Sequence, residues 1–153
     1  MTKTLVIIPG FGENTKEKPY QEISKHAKSI GYTKIVEVNP KWSNRTASDW
    51  CNDVKKGINL LDPNKTTVVA FSFGAYISLI LAKDLNFKKV IFCSFSPYFK
   101  EHLKHIPEVA KDFLGQKRID DFNNYSLSSK LSSENNIFLF GEKEWLYAIA
   151  EAS

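Results

Sequence analysis

The feature that most constrains this chain is a repeated change of hydrophobic period. Five short runs rich in β-branched and aromatic residues each stop at a turn or breaker residue. Residues 4–8 (TLVII) end at Pro9-Gly10-Phe11-Gly12, and 34–38 (KIVEV) end at Asn39-Pro40. Residues 66–71 (TTVVAF) run into Ser72, 89–95 (KVIFCSF) end at Ser96-Pro97, and 136–140 (NIFLF) end at Gly141. Between them the spacing becomes helical. Tyr20, Ile23, Ala27 and Ile30 recur over 19–30 and stop at Gly31, a favoured helix terminator. Ala47, Trp50, Val54, Ile58 and Leu61 recur over 46–61 and stop at Asp62-Pro63-Asn64. A third helix is predicted over 73–85 and a last one from about Glu144. Residues 100–131 are less regular, with helical signal near 106–114.

Strands of this kind, apolar on every position rather than on alternate ones, are built to be covered on both faces. Alternation with helices implies right-handed crossovers and a parallel sheet. The expected fold is α/β: a three-layer α/β/α arrangement with a mostly parallel five-stranded sheet, residues 1–153 forming one domain. A site in such a sheet lies beyond the carboxyl ends of the strands. The positions that matter are then Gly10 to Gly12, Asn39 to Trp42, Ser72 and Phe73, Ser94 to Tyr98, and Gly141 to Glu144.

Composition removes several function classes. With 42% hydrophobic and 25% charged residues the chain is ordinary for a globular protein. No apolar run approaches the ~18 residues of a membrane span, and the start of the chain lacks a signal-peptide pattern, so no membrane association and a cytoplasmic location are expected. Cys51 and Cys93 lie inside apolar or helical patterns and read as buried free thiols. No metal-ligand spacing is present, and no metal or cofactor is expected. The net charge is +4, but the cations are nineteen Lys and two Arg dispersed among acids, so no nucleic-acid partner is expected. The first loop, Pro9 to Asn14, carries neither GxGxxG nor a P-loop lysine, which weakens a nucleotide-binding reading. Oligomeric state is left open.

The serine of VVAFSFGAY carries the chemistry. Ser72 stands between a strand and a helix with a single phenylalanine on each side. If the chain reverses sharply there, the residues two before and two after approach closely and must be small. They are Ala70 and Gly74. A serine in this place can be a nucleophile raised at the sheet's edge or simply the cap of the following helix.

In these residues the chain resembles the α/β-hydrolase family, in particular its small, lid-poor members. Ala70-Phe71-Ser72-Phe73-Gly74 matches the nucleophile elbow, Pro9-Gly10-Phe11-Gly12 the oxyanion loop after the first strand, and Gly141-Glu142-Lys143-Glu144 the place of the acid. The resemblance implies a Ser72 nucleophile and an oxyanion held by the backbone N–H groups of Phe11 and Phe73. Gly10, Gly12 and Gly74 support that geometry. Glu144, with Glu142 as the alternative, would orient a histidine. The substrate implied is a small or medium acyl ester or thioester, with Phe71, Trp42, Phe95, Pro97 and Tyr98 as candidates for an aromatic acyl pocket. The family order is serine, acid, histidine, yet no histidine follows His105. His102 and His105 fit no family position and read as surface or helix residues. Two expectations follow: a hydrolase whose chain is incomplete at its C-terminus and lacks the last strand and histidine, or an inactive relative that serves as a binding or interaction module.

Overall fold

The computed structural model describes residues 2–82, 84–96, 98–127 and 135–141. Pro97, Glu142, Glu144 and the helix expected after Glu144 lie outside the described residues. The elements run β1 Thr4–Ile8, α1 Lys18–Ser29, β2 Lys34–Glu37, α2 Ala47–Ile58, β3 Thr66–Phe71, α3 Phe73–Ala82, β4 Lys89–Cys93, α4 Glu108–Leu114, α5 Gln116–Phe122 and β5 Asn136–Leu139.

Local chemistry sets most of these boundaries. α1 opens with Pro19 in its first turn, where no donor is needed, and stops before Gly31, whose φ is 97°. Thr46 caps α2, its N–H donating to the Asp49 carboxylate at 3.0 Å. α2 ends earlier than its apolar spacing predicts, because Leu61 N–H turns back to the Ile58 carbonyl at 3.0 Å ahead of Asp62-Pro63. α3 ends at Ala82 for a similar reason: the Asp84 and Leu85 N–H groups both bond the Leu81 carbonyl, at 3.0 and 3.1 Å.

The irregular stretch after β4 contains two seven-residue helices, α4 and α5, hinged at Gly115 with φ 79°. Only α4 announced itself in sequence. α5 (QKRIDDF) carries two apolar residues, Ile119 and Phe122, and two positions are too few to define a period.

The five strands are all parallel, in the order β2-β1-β3-β4-β5. The chain moves outward from β1 to β2, then crosses back and builds β3, β4 and β5 on the other side. The loops leaving β1 and β3 therefore diverge, and the crevice between them is where an open α/β sheet receives ligands. On one face Val6, Ile8, Val68, Ala70, Val90 and Phe92 pack under α2, α3 and the α4–α5 segment. On the other, Leu5 and Ile7 pack against Tyr20 and Ala27 of α1. Burial on both faces holds for β1 and most of β3, whereas β4 is fully buried on one face only, with Lys89, Ile91 and Cys93 half-buried on the other. The edge strands are only half covered, with Ile137 and Leu139 of β5 37% and 52% exposed.

Phe92 is fully buried and its ring stacks on Phe138 at 4.8 Å, joining β4 to β5. Phe92→Ala should lower unfolding free energy by about 3–5 kcal/mol, read from the urea midpoint. A loss under about 1 kcal/mol would mean that this part of the core is not packed as described.

Candidate active site

β3 passes into α3 through one residue. Ser72 has φ 49°, a left-handed conformation that costs an L-residue roughly 1–2 kcal/mol. It is held there from both sides: its N–H donates to the Cys93 carbonyl at 2.8 Å, and its own carbonyl accepts the Tyr76 N–H at 3.0 Å, the first bond of α3. The Ser72 side chain does not cap that helix. Its only hydrogen-bond partner among the described residues is Ser96 Oγ, 3.5 Å away at the end of β4. A capping serine would sit in extended backbone and accept from an N–H of the first turn.

The small residues around Ser72 have separate reasons. A Cβ on Gly74 would stand 2.4 Å from the Pro9 carbonyl oxygen and 2.8 Å from that of Ile8, both rigid backbone. The end of β1 thus lies directly against the first turn of α3. A Cβ on Gly10 would stand 2.6 Å from Glu13 Oε2 and 3.4 Å from Ser72 Cβ, so the loop after β1 runs alongside the serine. Gly12 has open space around it but φ 78°, a turn that glycine makes without strain.

That loop is braced by residues the sequence did not single out. Gly10 N–H is shared between Glu13 Oε2 at 3.0 Å and the Tyr20 hydroxyl at 3.1 Å, and Tyr20 O–H donates to the same Glu13 oxygen. Burial, then the Glu13 carboxylate, push the Tyr20 phenol well above its ordinary range, so it stays a proton donor. Trp42 Nε1–H reaches the Glu13 carbonyl at 3.2 Å. The signal was present as a glutamate three residues after Gly10, but the tyrosine it meets belongs to α1.

Phe11 and Phe73 face each other with ring centroids 5.5 Å apart. Neither backbone N–H donates to another described residue. The Phe11 ring also meets Trp42 and Trp50, each at 5.6 Å, and Phe113 at 6.0 Å. Arg118 of α5 lies over Phe11 at 5.2 Å, its guanidinium bonded to the carbonyls of Arg45 and Leu114 at 2.9 Å. Asp121 accepts from Ser48 N–H at 2.8 Å and Ser48 Oγ at 2.6 Å, which ties α5 to the N-terminus of α2.

Of the five pocket candidates Pro97 lies outside the described residues, and the other four do not form one pocket. Trp42 and Tyr98 join the cluster around Phe11 and Phe73. Phe71 points to the other face of the sheet, against Tyr20 at 5.2 Å. Phe95 packs on Phe138 and Phe140 at 5.8 and 6.0 Å. Alternate strand residues face opposite sides, which puts the Phe71 ring on the α1 face, while Phe95 shares the other face but reaches toward β5.

His102 is buried, 8% exposed, in a turn where its ring lies 6.3 Å from Phe99. It is neither a surface nor a helix residue, because the chain after β4 folds back and turns Phe99, His102, Leu103 and Ile106 inward. His105 is exposed. Among the described residues no histidine hydrogen-bonds Ser72. Cys93 is half-buried rather than buried, and Cys51 is buried. Burial pushes the Cys93 thiol up to about 11, so it stays protonated at neutral pH.

Gly74→Ala should destabilise the protein by about 1–3 kcal/mol, since the clash is with backbone that cannot rotate away. Equilibrium urea unfolding tests this, and an unchanged midpoint would refute the close approach of β1 to α3.

No protein-family model and no curated protein sequence matches the chain. Solved structures do. The mouse alpha/beta hydrolase domain-containing protein 10 superposes with a TM-score of 0.76 at 14% identity, over 99% of this chain and 75% of that one. The ydeN gene product of B. subtilis gives 0.74 at 16% identity, over 99% and 80%. Est1E from Butyrivibrio proteoclasticus gives 0.67 at 14% identity, over 98% and 73%. At these identities the likeness is one of backbone architecture. Together with the parallel sheet and the strand–serine–helix turn, it establishes that this protein has an α/β-hydrolase-like fold.

Proposed function

We propose that the protein is a serine hydrolase of esterase or thioesterase type, acting on a small or medium acyl group. The observation that carries this reading is Ser72 itself. It occupies a strained left-handed position at the carboxyl end of β3, with an Oγ that is not spent on capping α3. Strain of this kind persists where the surroundings over-determine it, and it clusters at functional sites. Asn44 and Ser94 share the conformation, but only Ser72 combines it with the strand-to-helix turn.

In the proposed reaction Ser72 Oγ attacks the acyl carbon and its proton passes to a general base. The carbonyl π electrons move onto oxygen, and the C–O or C–S bond to the leaving group then breaks as that group takes up the proton. Water repeats the sequence on the acyl-serine and releases the acid. The developing oxyanion would be held by the N–H groups of Phe11 and Phe73, which have no other described acceptor. Gly10 and Gly12 let the loop approach, and the Glu13–Tyr20 brace supports its shape. Phe113 and Val109, 70% and 77% exposed on α4, offer an apolar rim beside Phe11 where an acyl group could enter. Glu144, or Glu142, is the acid proposed for orienting a histidine base, by its place after β5.

A second reading is favoured by one observation: no described histidine bonds Ser72. On that reading the protein is a catalytically inactive relative that uses the same crevice to bind a ligand or partner. The two readings separate with a fluorophosphonate probe. A hydrolase labels, and Ser72→Ala abolishes labelling while leaving the fold intact by circular dichroism. Equal labelling of wild type and variant removes Ser72 as nucleophile, and absence of labelling in the wild type favours the binding module.

A further inference from the structure

The rim of the sheet opposite Ser72 gathers charges that are far apart in sequence. Each of the first four strands meets this rim with a lysine. Lys3 precedes β1, Lys34 opens β2, Lys65 precedes β3, and Lys89 opens β4 with Lys88 beside it. Because the strands are parallel and adjacent, their amino ends share one edge, spaced by about 4.8 Å per strand. Backbone bonds fix the arrangement: Lys34 N–H donates to the Lys3 carbonyl at 3.2 Å and Lys88 N–H to the Pro63 carbonyl at 2.8 Å. Lys3, Lys65, Lys88 and Lys89 line an open groove of about 530 Å³. Within it the Tyr32 hydroxyl donates to Thr67 Oγ1 at 3.0 Å, which leaves the Thr67 O–H free to turn toward a ligand.

Among the described residues the groove's charge is poorly neutralised. Lys65 pairs with Asp62 at 3.1 Å, while Lys3, Lys34, Lys88 and Lys89 make no ion pair with a described residue. Like charges gathered on one rim repel one another, and an anion placed among them relieves several such repulsions together.

We propose that this groove binds a compact polyanion: a small molecule carrying two or more phosphate groups. Its volume falls in the roughly 300–1,000 Å³ range of small-ligand sites. Lysines supply point charges without the bidentate geometry that reads a base edge. Single-stranded nucleic acid would need aromatic stacking platforms, and the groove's one ring, Tyr32, is held by its hydroxyl against Thr67. Lys65 and Ser72 flank opposite ends of β3, roughly 20 Å apart along the strand, so the site is separate from the crevice that holds Ser72.

The test is isothermal titration calorimetry of the full chain with inorganic tripolyphosphate at low salt. Binding should appear, weaken as salt rises, and fall at least about tenfold in Lys3→Glu/Lys88→Glu, two exposed positions whose exchange leaves the core untouched. The charge-matched control Lys25→Glu/Lys55→Glu, on α1 and α2, should keep wild-type affinity, as should Ser72→Ala. No binding at millimolar tripolyphosphate overturns the proposal, and so does an equal loss in the control, which would reduce the effect to net charge. An oligonucleotide that binds more tightly than tripolyphosphate and is lost in the same rim variant would also overturn it, in favour of a nucleic-acid surface.

Discussion

The fold hinges on the contact between the end of β1 and the first turn of α3. The carbonyls of Ile8 and Pro9 lie so close to Gly74 that no side chain fits between them. This closeness forces the chain at Ser72 to turn within one residue, and that residue takes the left-handed conformation that lifts its side chain off the helix. A larger residue at position 74 would push α3 away, widen the turn and let Ser72 relax into an ordinary cap. Packing and chemical character at this point are one constraint.

The region above the crevice depends on polar anchors more than on hydrophobic area. α4 and α5 are too short to be stable alone. Arg118 holds them by stacking on Phe11 and bonding the Arg45 and Leu114 carbonyls, while Asp121 fastens α5 to the start of α2. Tyr76 reaches from α3 to bond the Tyr98 carbonyl at 2.9 Å, and burial keeps its phenol protonated for that purpose. These bonds close the aromatic cluster of Phe11, Trp42, Trp50, Phe73 and Tyr98 around the loop that passes Ser72. The cluster's position thus follows from a few hydrogen bonds spanning some seventy residues of sequence, such as Ser48 to Asp121.

Legibility in sequence varied with the range of the interaction. The five strands, α1, α2 and α3 were visible because their apolar spacing is local and repeats several times. α5 was not, since two apolar residues carry no period. A small residue at position 74 could be inferred from the steric rule of a tight turn, but the rule named Ala70 as its neighbour, whereas the atoms that leave no room for a side chain are the Ile8 and Pro9 carbonyls at the end of β1. The role of Glu13 could not, because its partner Tyr20 comes from α1. Phe71 and Phe95 did not join Trp42 and Tyr98 around Phe11 and Phe73, because nearness to a strand end says neither which face a ring occupies nor which neighbour it meets.

By itself the sequence determined the α/β class, the parallel sheet and the place of Ser72 at a strand's carboxyl end. Those follow from hydrophobic period and from the breakers that close each run. Only the tertiary structure decided that Ser72 is held left-handed rather than used as a cap, that His102 is turned inward, and that lysines dispersed from position 3 to position 89 meet on one rim. The physical reason is that parallel strand order, which sets these neighbours, is fixed by crossovers and packing between distant segments. No window along the chain contains it.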